Sequence, residues 1–247
     1  NPPEFLLTHP VTSSRVSDAF NAADQIEFSG GKKNTINFEF IKGRLKARYN
    51  ASSPQTASRY FEKLYIDIPS HENKYAYIIA LKANGQTLQA LNLIDEILTK
   101  FPKNLILNIT KSEILLSGQQ LARAEQSIEK VLTISPGNYP ASIIQSKILS
   151  AKKEIIKAEE VLRDLLIKKN RDPSLWMQLS EVQRAGKNIV GYHLSRGEYY
   201  LLIGDFENAL NQFQFALRLS GNSFQASETI ITKIKFAQER LGNKRGF

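Results

Sequence analysis

The chain has 247 residues, 42% of them hydrophobic, and no cysteine, enough length and apolar side chain for one large or two small buried cores. Disorder over most of its length, a disulfide scaffold, a cysteine zinc site and a thiol nucleophile are thereby excluded. Lysine and arginine outnumber aspartate and glutamate by 33 to 24, and the net charge of +9 brings a nucleic-acid or anionic-surface partner into consideration.

Residues 1–10 contain three prolines and no helical period. They carry no basic leading region, so this chain is expected to hold neither a signal peptide nor a transit peptide. Residues 14–28 read as one amphipathic helix, and residues 29–34, Ser-Gly-Gly-Lys-Lys-Asn, as a flexible turn or short linker. The longest apolar run, residues 75–81, is seven residues long. A bilayer needs roughly 20, so no membrane span is predicted.

From residue 57 onward the chain repeats itself. Ala57, Ala90, Ala124 and Ala158 are separated by 33, 34 and 34 residues, and each is followed four positions later by a large apolar residue: Phe61, Ile94, Ile128, Leu162. Pro69, Pro102 and Pro136 each lie twelve residues beyond their alanine, and Gly85 and Gly118 precede two of the alanines by five or six. One helix–turn–helix per repeat accounts for this spacing. A small residue early in the second helix, helix B, lets helix A approach, a bulky residue one turn later fills the groove, and proline ends helix B. Apolar residues recur at helical intervals in Leu88, Leu91, Ile94, Ile97, Leu98 and in Val161, Leu162, Leu165, Leu166, with no strand-like alternation.

Ala158 and Ala209 are 51 residues apart, one and a half repeats, so one helix B is expected to be missing. Residues 173–185, with Trp176 and Leu179 at helix-A positions and Asp172-Pro173 as start signals, run through Gly186-Lys187-Asn188 into another helix A over about residues 189–203. After Ser220-Gly221-Asn222, residues 224–241 read as a final capping helix.

Near the C-terminus, Gly197, Tyr200, Gly204, Asp205, Phe206, Ala209, Phe213 and Ala216 stand at the intervals of the tetratricopeptide repeat (TPR), which the chain resembles. The fold class expected is all-α, a TPR superhelical solenoid of antiparallel helix pairs over residues 31–247, with about five repeats, one of them incomplete, and a capping helix. Such stacks bind proteins or extended peptides in a concave groove lined mainly by helix A. The repeat register puts Tyr75, Ile79, Ile109, Leu116, Leu194 and Glu198 at groove-facing, partner-binding positions. Their apolar character suits hydrophobic or aromatic segments better than an acidic tail.

Catalytic motifs are missing. The three histidines, His9, His71 and His193, form no pair at i, i+4, and there is no H-E-x-x-H, G-x-S-x-G, P-loop or G-x-G-x-x-G. No catalytic residue is assigned, and the chain alone is not expected to be an enzyme. The string Leu6-Leu7-Thr8-His9-Pro10-Val11-Thr12-Ser13-Ser14-Arg15-Val16, with TPR-like repeats after it, nevertheless resembles the end of the protease domain in the periplasmic zinc metalloproteases that carry a TPR tail. That resemblance implies that residues 1–30 are the tail of a metalloprotease domain, a His-Pro loop and last helix. His9 would then lie on a loop beside the active-site zinc of the complete protein, with Arg15 matching the arginine that follows it. It implies a fragment lacking the zinc-binding helix, no cofactor in this chain, and a periplasmic location. The partners it implies are outer-membrane assembly components and unfolded outer-membrane proteins. A free-standing TPR scaffold or co-chaperone without protease activity is the competing reading, separated by whether the coding region upstream of Asn1 contains H-E-x-x-H.

The basic residues are scattered. Arg44 and Arg48 lie one turn apart, Lys152-Lys153 marks a turn, residues 168–171 end a helix where cations complement its dipole, and residues 243–246 form a tail. A nucleic-acid groove would show positive stripes interleaved with aromatics, so no nucleic acid is expected. Weak peripheral contact with an anionic membrane surface or an acidic partner fits the distribution better.

Overall fold

The computed structural model describes residues 12–25, 35–50, 53–221 and 224–244. Among the described residues there are thirteen helices and no strand. The chain divides into two compact units, residues 1–39 and residues 40–247. In the first unit α1, Thr12–Asp24, exposes Val16 and Phe20. The helix expected over residues 14–28 thus ends at Asp24; residues 26–34, and residues 1–11 with His9, lie outside the described residues.

The second unit is a run of helices in alternation. From α2 (Ile36–Arg48), which begins just before the unit boundary, it continues through α3 (Pro54–Asp67), α4 (His71–Ala83), α5 (Thr87–Lys100), α6 (Leu105–Ser117), α7 (Leu121–Ile134), α8 (Tyr139–Ala151) and α9 (Ile155–Lys168). Then come α10 (Pro173–Ala185), α11 (Ile189–Leu202), α12 (Phe206–Leu219) and α13 (Phe224–Lys244). Helices α2, α4, α6 and α8 are A helices, and α3, α5, α7 and α9 are B helices that carry the repeating alanines.

From α4 onward five turns share one geometry. Gly85, Gln119, Lys153, Lys187 and Gly204 hold φ values of 73°, 58°, 65°, 59° and 77°. The N–H of each of these residues donates to the carbonyl three residues back, as Lys153 N does to Ser150 O at 3.0 Å. The next N–H reaches back five, as Glu154 N does to Leu149 O at 2.9 Å. This pair of bonds satisfies carbonyls that a helix end would otherwise leave open. Two of the five left-handed positions are glycine, which suits them; glutamine and lysine pay a steric cost there.

The B-to-A turns repeat as strictly. Ser70, Asn104, Asn138 and Asp172 are spaced by 34 residues, and each side chain accepts a hydrogen bond from a first-turn backbone N–H: Asn73, Leu107, Ala141 and Ser174. Helix B stops at Asp67, Lys100 and Ile134, two residues before Pro69, Pro102 and Pro136. The intervening residues Ile68, Phe101 and Ser135 take φ of −133°, −130° and −136°. Lys169 takes the same −136° although Asn170 follows it, so proline favours this exit conformation without being required for it.

Ala90, Ala124, Ala158 and Ala209 are fully buried and Ala57 nearly so, and beside them Phe61, Ile94, Ile128, Leu162 and Phe213 are closed to solvent. Each such aliphatic or aromatic side chain contributes on the order of 1.5–3 kcal/mol by burial. Two later cores are distinct clusters: one joins Leu149, Leu162, Leu166, Leu175 and Leu179, the other Ala209, Phe213, Ala216, Ile230 and Ala237.

The missing helix B has a structural outcome. Helix α11 follows α10 through the three-residue turn that elsewhere joins A to B, and it precedes α12 through another turn of the same kind. It therefore stands as B to α10 and as A to α12. Its two faces are fitted accordingly: the Ser195 hydroxyl and the Gln183 side-chain amide of α10 are hydrogen-bonded at 2.7 Å, and Gly197 receives the Phe213 ring of α12 so closely that a Cβ would sit 2.3 Å from it.

Candidate functional site

The face formed by successive A helices is where the sequence places partner recognition, and its chemistry changes along the unit. At the N-terminal end the side chains engage one another. The Arg44 guanidinium donates to the Tyr75 hydroxyl at 3.1 Å, to Thr110 Oγ1 at 2.8 Å and to both Glu113 oxygens at 3.3 Å. Lys82 Nζ donates to the same carboxylate at 2.7 Å, and the Tyr75 and Thr110 hydroxyls lie 2.6 Å apart. Three consecutive A helices, α2, α4 and α6, are thus tied through one part-buried carboxylate. Burial alone would push the Glu113 carboxyl up, but the charges of Lys82 and Arg44 outweigh it and hold the group below its usual range. Burial also disfavours the Arg44 cation, and Tyr75 and Glu113 more than compensate. Burial pushes the Tyr75 phenol up despite Arg44 beside it. Lys42 and Lys46 of α2 add a second tie, both pairing with Glu72 of α4.

This packing decides where the predicted groove residues lie. Tyr75 is fully buried, and Ile79 and Ile109 are only 9% and 8% exposed, so these three are corrected from open groove wall to interior of the stack. The reason is the closeness of neighbouring A helices: the phenol of Tyr75 is occupied by Arg44 and Thr110 of the helices on either side. Leu116, Leu194 and Glu198 are partly exposed. Leu194 leans on the last core cluster while keeping some surface, and Glu198 pairs with Lys233 of α13. The structure therefore does not bring the six positions together as one open surface.

At the C-terminal end the face turns aromatic. Met177 of α10 and Arg196, Tyr199 and Tyr200 of α11 are grouped and partly exposed, with the Arg196 guanidinium 5.9 Å and 5.2 Å from the two tyrosine ring centroids. His193 stacks on Phe215 at 5.2 Å, and Arg218 lies 4.5 Å from that ring. Asp172 both caps α10 and accepts from Tyr139 at 2.6 Å; burial and this carboxylate push the Tyr139 phenol up to about 12. Sequence reasoning missed the Arg44–Glu113 bridge, which spans 69 residues and has no local pattern, and it missed Arg196.

Among the described residues there is no group of three or more histidine, aspartate or glutamate side chains that could hold a metal ion. His9 lies outside them. No described helix is long and apolar enough to cross a membrane.

No family model matches the chain. Among solved structures, a tetratricopeptide repeat protein from Parabacteroides merdae superposes with a TM-score of 0.50 at 16% identity, covering 91% of this chain and 90% of that one. The fold is a TPR solenoid. A thermophilic TPR protein of Thermus thermophilus gives a TM-score of 0.49 at 17% identity, over 81% of this chain and 99% of that one. In sequence, the chain is similar to the beta-barrel assembly-enhancing protease of Yersinia pestis, 30% identical over 106 residues. That match takes in 42% of this chain and spans 22% of the Yersinia protein's length.

Proposed function

We propose that this chain is the protein-interaction region of a periplasmic zinc metalloprotease, docking it to outer-membrane assembly machinery and presenting misassembled outer-membrane proteins. On this reading residues 1–30 are the tail of the protease domain, His9 lies beside the zinc of the complete protein, and the metal is bound by residues outside this chain. The observation that carries the proposal is the A-helix face: a TPR solenoid in which Leu116, Met177, Leu194 and two tyrosines of α11 remain partly exposed. Such surfaces take up extended or helical segments of other proteins through apolar contact. The sequence similarity to a beta-barrel assembly-enhancing protease supports the choice of partner.

The test is site-specific photo-crosslinking in cells, with a benzophenone amino acid replacing Leu116 or Leu194 in the full-length protein. Adducts with outer-membrane assembly components or unassembled barrel proteins are the expected result. Adducts confined to cytoplasmic proteins, or none from either position while an exposed B-helix site such as Ile167 reacts, would overturn it.

A further inference from the structure

Six lysines and arginines are part-buried among the described residues: Arg44, Lys74, Lys82, Lys111, Arg196 and Lys233. Five of them pair with a carboxylate. Arg44 and Lys82 share Glu113, Lys74 meets Glu96, Lys111 meets Asp95 and Lys233 meets Glu198. Arg196 meets no carboxylate among the described residues. Its acceptors are the Met177 thioether, 3.0 Å from Nη1, and the Tyr200 hydroxyl, 2.9 Å from Nη2, while Nε is buried without a partner. A thioether is a weak acceptor, and a guanidinium has a fork of N–H groups suited to two carboxylate oxygens at once. The tyrosine rings and these neutral acceptors compensate the half-desolvated cation only in part and no counter-charge faces it, so the site gains wherever an anion approaches.

We propose that Arg196 anchors a carboxylate of a partner protein, an acidic side chain within an extended segment, whose apolar or aromatic neighbours rest on Met177, Tyr199 and Tyr200. This deepens the function proposed above and rests on the A-helix face being the binding face. Charge complementarity selects the anion. The two tyrosine rings and the flexible methionine select its surroundings, because they offer adaptable apolar area with hydroxyl groups at the edge. A single guanidinium does not suit a polyphosphate backbone, which calls for a row of cations. The site thus recognises one acidic residue in a hydrophobic context.

The experiment uses the 247-residue chain and two capped heptapeptides without terminal charges, Gly-Ser-Leu-Glu-Phe-Ser-Gly and its Gln counterpart, titrated by NMR with the Arg196 Nε–H signal resolved. The Glu peptide should bind about two- to fivefold tighter, as expected of a part-exposed charge pair, and should move that signal. Arg196→Met should reduce Glu-peptide affinity to that of the Gln peptide and leave the latter unchanged, and Arg196→Lys should keep part of the preference. Equal affinity for both peptides overturns the carboxylate assignment while leaving the binding face intact. If neither peptide binds, the binding-face reading fails, and N-acetylglutamate α-amide decides the anchor by itself. A saturable shift of the Arg196 signal upholds it, and an unmoved signal overturns it.

Discussion

Five turns of one geometry occupied by three kinds of residue make an internal experiment. Gln119, Lys153 and Lys187 hold left-handed φ of 58°, 65° and 59° at positions where Gly85 and Gly204 stand in the equivalent turns. All three side chains are exposed, so replacing them removes little besides the backbone clash. Placing a non-glycine residue in the left-handed region costs about 1–2 kcal/mol, and glycine returns about 0.4–1 kcal/mol of that through the extra freedom of the unfolded chain. The net gain is about 0.5–1 kcal/mol per site. The three turns share no hydrogen-bond partners, so their effects should add to roughly 2 kcal/mol. For a chain of this length that corresponds to a rise of about 4–8 °C in melting temperature. The assay is thermal and urea unfolding followed by far-ultraviolet circular dichroism for the Gln119→Gly, Lys153→Gly, Lys187→Gly triple variant. Gly85→Gln and Gly204→Lys should move stability the other way by a similar amount per site. A triple variant melting at or below the parent would refute the reasoning, since it would mean that these turns carry no strain.

Glu113→Gln should lower stability by about 2 kcal/mol: breaking a buried pair costs roughly 3–5 kcal/mol, and the 36% exposure of the Arg44 side chain lets solvent recover part of it. Because the folded protein holds the Glu113 carboxyl below its unfolded value, its contribution is complete above that value, about 4.3, and is lost as pH falls through the lower folded one. Urea midpoints of parent and variant should therefore differ at neutral pH and converge in acid; a constant difference would show that the carboxylate charge is not what ties the helices. Gly197→Ala places a methyl 2.3 Å from the Phe213 ring and should cost about 1–3 kcal/mol through overpacking, with Phe213→Leu in the same chain recovering part of the loss. If Gly197→Ala alone is neutral, α11 and α12 do not approach as closely as described.

The repeat was legible because its determinants are local. The buried alanines, the bulky residue one turn on and the capping Asp172 each act within a few residues, and the spacing of 51 residues from Ala158 to Ala209 located the half-repeat. The 34-residue series Ser70, Asn104, Asn138, Asp172 was equally present in the sequence, although short polar caps are individually common and only their period is informative. Left-handed Gln119, Lys153 and Lys187 left no trace, because nothing about these residue types marks that conformation. Tyr75 shows the other limit. Helical periodicity says which way a side chain points along α4, and not whether Arg44 from α2 and Thr110 from α6 will close over it.

The net charge of +9 looks different once partners are assigned. On α2, α4 and α6 the part-buried cations are consumed internally by Asp95, Glu96 and Glu113, and the exposed Lys42 and Lys46 pair with Glu72, so that part of the A-helix face is tied together and has little charge to offer. On α10 and α11 the balance differs: Glu181 pairs with Arg184 and Glu198 with Lys233, but Arg196 meets no described carboxylate and lies among tyrosines. In a stack whose repeats contact only their neighbours, these two regions should act independently. Glu113→Gln should therefore shift unfolding midpoints without altering the Glu-over-Gln peptide preference that Arg196 confers. Loss of that preference in the Glu113→Gln chain would mean instead that the N-terminal ties set the geometry of α11 from several helices away, and the division of the face into a structural end and a recognising end would fall.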